Sequence, residues 1–321
     1  KFILFFEFKF TNITKHMKGK ILIVGGSGYV GQYLCRDLPK NPVLKNFEFY
    51  ATYHSHNVFE QNPTIFPFIK EVYHIQFENN YDQIIQLIRT LKPDFIVNPS
   101  AMSAVAQCQN ESNTAYTVND PTKWAEIAIS ECNCQRFIHF STDMVYDGEH
   151  APYSEKDPAN PVKTMVYGLS KRNGEIKLLE SEKVNKKVAI LRSALVIGKP
   201  SVSGNGRGST LDWMINALKN ATHEQPCSFY SNEMRSPVLV DDIVRTIGRI
   251  IELDISGSKQ VPFPFVANMG GDSECSRLDI GEGLRTRLGV PKENMVSSLQ
   301  QPLQGGIESP RDIRMINTLL K

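Results

Sequence analysis

Ile21 to Gly31, ILIVGGSGYVG, constrain this chain more than any other stretch. A Leu- and Ile-rich run, bounded by glycines, predicts a buried strand. Gly25, Gly28 and Gly31 follow it directly and lead into a helical pattern. Glycine permits a turn with positive φ and lets backbone amides approach a pyrophosphate. The helix that follows offers unpaired N–H groups and the positive end of its dipole. Gly31 would let helix and strand pack closely. Ser27, Tyr29 and Val30 lie between these glycines and share the candidate cofactor loop. A glycine triplet alone is also compatible with a plain turn, so the remaining pattern has to decide.

That pattern alternates. KILIV, FEFYATY, DFIVNPS, RFIHFST and KVAILRSALVI read as strands. GYVGQYLCRDL, DQIIQLIRTLK, one long helix over AYTVNDPTKWAEIAISEC, and the segment carrying Tyr167 read as helices between them. Strand and helix in alternation imply right-handed crossovers and a parallel sheet. The expected fold is α/β, a Rossmann doubly wound parallel sheet with a smaller mixed C-terminal lobe. Residues 19–197 form the expected NAD(P)-binding domain and residues 198–321 the substrate-binding lobe, some of whose segments return to the first domain. The Gly/Ser/Pro-rich GKPSVSGNGRGST reads as a loop between them. Helices are expected around Leu211 to Lys219 and Arg277 to Leu288. Residues 1–18, which carry the apolar run Phe2 to Phe6, read as a leader outside the fold. That run is too short for a signal core or a membrane span.

A net charge of +2 argues against a dedicated nucleic-acid binder or a basic membrane-surface protein. Six scattered cysteines fit a reduced, cytoplasmic protein better than a disulfide framework. Cys132 and Cys134 lack a second ligand pair at zinc spacing, so no metal site is expected. His139 on its strand reads as a core histidine, Trp124 and Trp213 as packing residues, and Asp241 with Asp242 as helix-capping acids.

Where a dinucleotide fold selects NAD, an acid about 20 positions past the loop holds the ribose 2′-hydroxyl. Here that place reads ATYHSHN, without Asp, Glu or Arg. Thr52, Tyr53 and Ser55 could hydrogen-bond a 2′-phosphate, so NADP(H) is favoured over NAD(H). Beside a bound nicotinamide, a proton donor or acceptor is needed. Of the 11 tyrosines, only Tyr167 has a lysine, Lys171, four places on. Roughly one such pair is expected by chance, so spacing alone proves nothing. On a helix the two share a face one turn apart, and a nearby cation would bring the phenol down toward neutrality. Ser141 and Thr142 follow the strand RFIHF, at the end where open α/β sheets bind ligands.

Together these blocks resemble an extended short-chain dehydrogenase/reductase of the dTDP-4-dehydrorhamnose reductase branch. FIHFSTDMVYDGEHAPYSEKDPANPVKTMVYGLSKRNGE carries the most specific part of the resemblance. ILIVGGSGYVG, KPDFIVNPSAMSAVAQCQNESNTAYTVND, ILRSALVIG, MRSPVLVDDI and ESPRDIRMI follow the same pattern. The resemblance implies hydride transfer to a 4-keto group of a nucleotide-linked deoxysugar. Thr142 would polarise the carbonyl, Tyr167 give the proton, and Lys171 tune it and anchor the ribose. It adds Ser100, Ala101 and Asn119 to the cofactor residues, with Asn98 as a matching position. Asp143, Met144 and Arg311 become the expected substrate contacts. Met144 departs from the aromatic usual at its position, and Ser100 from a second alanine. The implied partners are the nucleotide sugar and a second copy of the chain as a homodimer. The branch also contains the regulatory β subunit of methionine adenosyltransferase, a non-catalytic NADP-binding partner of the catalytic subunit. A nucleotide-sugar epimerase or dehydratase is a further alternative, for which Asp143 supplies an acid beside Thr142.

Overall fold

The computed structural model describes residues 18–77, 81–200, 208–257, 264–302 and 306–320. Most of the expected leader and residues 201–207 of the expected loop lie outside them. Six strands run through the first two-thirds: β1 (Gly19–Ile23), β2 (Phe47–Tyr53), β3 (Ile69–His74), β4 (Phe95–Asn98), β5 (Arg136–Thr142) and β6 (Val188–Ser193). Seven helices alternate with them: α1 (Tyr29–Asp37), α2 (Val58–Gln61), α3 (Asp82–Leu91), α4 (Val105–Asn110), α5 (Ser112–Val118), α6 (Thr122–Ser130) and α7 (Val166–Glu180). After β6 come β7 (Val196–Ile197), α8 (Thr210–Asn220), β8 (Cys227–Tyr230), β9 (Met234–Arg235), β10 (Val238–Leu239), α9 (Val240–Ser256), β11 (Phe265–Met269), β12 (Cys275–Ser276), α10 (Arg277–Leu288) and β13 (Met295–Ser298).

The central sheet has the order β11-β6-β5-β4-β1-β2-β3, parallel throughout. Strand direction in sequence reverses between β1 and β4, the switch point at which such sheets open a crevice. Alternate residues of β1 show why its whole run is apolar. Ile21 and Ile23 join the core on one face, Leu22 and Val24 the core on the other, and all four are fully buried. A parallel sheet covered on both faces demands that composition. β11 joins the outer edge of this sheet, beside β6, although it lies far along the chain. α9 also joins the main core, through Val240, Ile243, Ile247 and Ile251, while Met214, Leu218, Phe229 and Met295 form a separate small core around β8 and β13.

Several local expectations change. The long helix is two, because Asn119, Asp120 and Pro121 interrupt it between α5 and α6. Pro121 has no N–H to continue the ladder. The expected strand KVAILRSALVI stops at Ser193, and its last two residues pair with β10 instead. β3, IKEVYH, has only half-buried and exposed residues and gave no strong apolar signal. Asp241 and Asp242 lie in the first turn of α9, two and three residues past the cap at Leu239. There they still favour the helix dipole. Trp124 is buried, whereas Trp213 is 55% exposed and only leans edge-on against Phe229.

Candidate functional site

The crevice at the switch point is a cleft of about 720 Å³. Its floor is the glycine loop. Gly25 has φ +85°, and a side chain there would meet Ser100 at 2.9 Å. A Cβ on Gly31 would come within 2.2 Å of the Gly25 carbonyl, so α1 can pack on the loop only with glycine there. Gly28 is different. Its absent Cβ would touch only the Gly25 oxygen, at 3.4 Å. No crowding in the protein requires glycine at 28, and the open space before it is the cleft. Gly28 also caps α1 without any side-chain acceptor for the first-turn amides. This cradle of small residues and outward N–H groups fits an anionic diphosphate. Ser27, Tyr29, Val30, Ser100 and Ala101 line the same cleft.

At the end of β2 the lining continues through Thr52, Tyr53, His54, Ser55 and His56. Thr52 is committed to the loop, since its Oγ1 accepts from the Gly25 N–H at 2.9 Å and its carbonyl from the Gly26 N–H at 2.8 Å. Ser55 and His56 share a hydrogen bond of 2.9 Å at the exposed lip. No carboxylate lines this part of the cleft among the described residues.

The opposite wall comes from β5, its following turn and α7. Thr142, Asp143, Met144, Tyr167 and Lys171 all line the cleft. α7 can reach β5 because of two glycines. A Cβ on Gly168 would strike the Met144 carbonyl at 2.4 Å, and one on Gly174 the Asn119 carbonyl at 2.5 Å. Burial pushes the Tyr167 phenol up, which outweighs the lowering influence of Thr142 beside it. The phenol therefore keeps its proton at neutral pH, in contrast to the expected fall toward neutrality. Lys171 is buried too, and burial brings its ammonium down to about 8, with Glu175 opposing the fall. Its Nζ lies 3.3 Å from His139 Nε2.

Asp143 is the most unusual acid of the site. Burial lifts its carboxyl to about 6, against the attraction of Arg235 and a hydrogen bond from Thr142. Its Oδ1 accepts from Thr142 Oγ1 at 3.1 Å, whereas Oδ2 is buried without a hydrogen bond and has only Arg235 Nε, at 4.0 Å, as an ionic partner. Ser141 Oγ is likewise buried, without a partner, and on the cleft wall.

Two expected residues stand elsewhere. Asn119 lies behind the wall, its amide spent on the Met102 backbone (3.0 and 3.1 Å) and on Ser170 Oγ (2.9 Å). It positions the cleft lining without joining it. Arg311 is exposed and outside the lining; its carbonyl accepts from Arg235 at 2.9 Å. The cations that reach the cleft are Arg235 and Arg277, which sequence reasoning missed. Arg235 is 2% exposed and pairs with Glu233 at 2.9 Å, with Asp143 at 4.0 Å. Arg277 holds the other Glu233 oxygen at 2.7 Å. The available signal for Arg235 was an arginine in MRSPVLVDDI, two places before a proline.

Among the described residues no cluster could hold a metal, and no helix is long and apolar enough to cross a membrane. The model of the RmlD substrate binding domain matches residues 18–318. The chain is 29% identical to the spore coat polysaccharide biosynthesis protein SpsK of Bacillus subtilis over 71% of this chain and 68% of that protein. It is 31% identical to the dTDP-4-dehydrorhamnose reductase of Aggregatibacter actinomycetemcomitans, over 56% of each. It is 19% identical to methionine adenosyltransferase 2 subunit beta of Danio rerio, over 73% of this chain and 68% of that one. Its fold is similar to the Bacillus anthracis dTDP-4-dehydrorhamnose reductase in complex with NADP, with TM-score 0.70, 20% identity and 95% and 92% of the two chains covered. The dTDP-glucose 4,6-dehydratase of the same organism, in complex with NAD, gives TM-score 0.71 at 17% identity, over 94% and 89%.

Proposed function

The chain belongs to the RmlD substrate binding domain family, and from that membership we propose that it is an NAD(P)H-dependent oxidoreductase that reduces a 4-keto nucleotide-linked deoxysugar. One observation carries the reading: the glycine cradle, Thr142, Tyr167 and Lys171 all face one cleft. A bound reduced nicotinamide supplies the hydride; the chain's own residues supply position and the proton. Gly25, Gly28 and the first turn of α1 hold the diphosphate of the cofactor. Lys171 holds its ribose hydroxyls. Thr142 orients the ketone oxygen, and Tyr167 donates its phenolic proton to that oxygen as the alkoxide develops. A phenol that burial keeps protonated suits this direction of transfer.

NADPH is the proposed cofactor. The absence of an acid at the end of β2 removes the group that would repel a 2′-phosphate, and Tyr53, Ser55 and the histidines beside it offer donors. On the substrate side, Asp143 and Met144 face the sugar, while the guanidinium groups of Arg235 and Arg277, both tied to Glu233, line this end of the cleft as candidate donors to a sugar-linked diphosphate.

The test mixes purified protein with NADPH or NADH and a panel of 4-keto nucleotide sugars, following loss of the reduced cofactor's absorbance. Turnover on at least one sugar, faster with NADPH, is expected. The likeness to the methionine adenosyltransferase subunit favours a second reading, a non-catalytic NADP-binding partner. Inactivity on every sugar, together with NADP binding and capture of methionine adenosyltransferase, would replace the first reading by the second.

A further inference from the structure

The wall behind Lys171 contains a buried polar chain that the proposed reaction does not use. Asn98 on β4 and His139 on β5 are register partners. With Lys171 they are 2%, 0% and 1% exposed, respectively. The Ser100 backbone N–H donates to Asn98 Oδ1 at 3.2 Å, and Ser100 Oγ to the same oxygen at 2.5 Å. Asn98 Nδ2 lies 3.1 Å from His139 Nδ1, and His139 Nε2 lies 3.3 Å from Lys171 Nζ.

Donors and acceptors fix where the hydrogens go. A backbone N–H can only donate, so Asn98 must turn its oxygen to Ser100 and its amine to His139. The amine can only donate, so His139 Nδ1 must accept. The ring is then neutral with its hydrogen on Nε2, and burial, with Lys171 beside it, drives out the cationic form. That hydrogen faces Lys171. An ammonium there would set N–H against N–H; a neutral amine offers a lone pair. We propose that His139 is a positioning residue: locked by Asn98 as its Nε2–H tautomer, it donates to the neutral amine of Lys171 and so controls that lysine's charge.

The other ionisable groups around Lys171 are few. Glu175, one turn along α7, favours the ammonium, but Arg192 holds its two oxygens at 3.1 and 2.9 Å, and Arg172 donates to it as well. Cys108 on α4 acts weakly in the same direction. Tyr167 faces the cleft from the same helix and is neutral. Burial thus brings the Lys171 ammonium, down to about 8, within reach of its neutral form.

The experiment is ¹⁵N NMR of histidine-labelled protein, which reads tautomers directly and needs no turnover. The chain has seven histidines, and His139→Gln identifies the signal. At about pH 7 Nδ1 should resonate as unprotonated and Nε2 as protonated. The Nε2 signal should move as the lysine titrates near pH 8. That movement should vanish in Lys171→Met. Asn98→Leu should release the tautomer, and it identifies the signal if His139→Gln does not fold. An imidazolium or Nδ1–H form at about pH 7, or identical titrations in wild type and Lys171→Met, overturns the proposal. The role in turnover rests on the proposed reductase reading. There, glutamine's carbonyl would accept from the ammonium, so His139→Gln should move the ionisation near pH 8 upward by about one unit or more. An unmoved profile overturns control of Lys171 by His139. Absence of turnover in wild type would count against the reductase alone.

Discussion

Tyr167 and Lys171 could be found from spacing, but their chemical state could not. Lysine at i+4 suggested a cation lowering the phenol; the structure instead has burial raising Tyr167 and lowering Lys171. Burial by α4 and by the turn after β5 is tertiary, so no local pattern announces it. The same holds for Asp143, whose carboxyl titrates near 6 because it is buried. An unfolded chain binds that proton only below the ordinary carboxylate range. The native state therefore has an advantage at about pH 4 that disappears as the pH rises through 6, and at pH 7 the buried carboxylate costs as much as about 3 kcal/mol. Asp143→Asn should raise the thermal midpoint at about pH 7 and leave it unchanged at about pH 4. A midpoint lowered equally at both values would mean the carboxylate is not penalised. Arg277→Ala, which leaves Arg235 its other Glu233 oxygen, should raise KM for the nucleotide sugar about tenfold or more with little effect on cofactor affinity. Equal KM values in the two proteins would remove Arg277 from the substrate site.

Elements with a continuous signal were legible: β1, β2, β5 and α10 begin and end close to where their patterns predict. The break between α5 and α6 was less so, because the apolar rhythm runs on past a proline that stops the ladder. β3 was missed because an outer strand with half its surface wet has little apolar signal. Close approaches were only partly legible. The glycine loop announced itself, whereas the close approaches of Gly168 and Gly174 to the Met144 and Asn119 carbonyls join segments far apart in the chain and have no local signal. Gly168→Ala should therefore shift the start of α7 away from the turn after β5. We expect kcat to fall about tenfold or more, since a misplacement near 1 Å at a reacting group is costly, with cofactor affinity nearly unchanged. Equal kcat would show that the approach does not matter for catalysis.

At the scale of the molecule, α/β order and a parallel sheet followed from alternation, and the switch point followed from the sheet. What could not be read was how far the late chain is woven into the early chain. β11 extends the central sheet beside β6, and its Asn268 accepts from Tyr146 at 2.8 Å. Behind the cleft wall, Glu175 on α7 forms a bidentate pair with Arg192 on β6. Glu175 is fully buried, so Glu175→Ala leaves a buried guanidinium with Tyr146 as its remaining side-chain partner. About 3–5 kcal/mol of stability should be lost, measured by urea unfolding; a loss under about 1 kcal/mol would show the pair to be dispensable.

The central claim is that one cleft brings a cofactor cradle to a phenol that gives up its proton. Tyr167→Phe removes one oxygen, and with it the proton. In the sugar-reduction assay, with NADPH affinity measured on the same preparation, the variant should bind cofactor as wild type does and lose turnover by about a hundredfold or more. Turnover within about threefold of wild type, at unchanged cofactor affinity, would contradict the account.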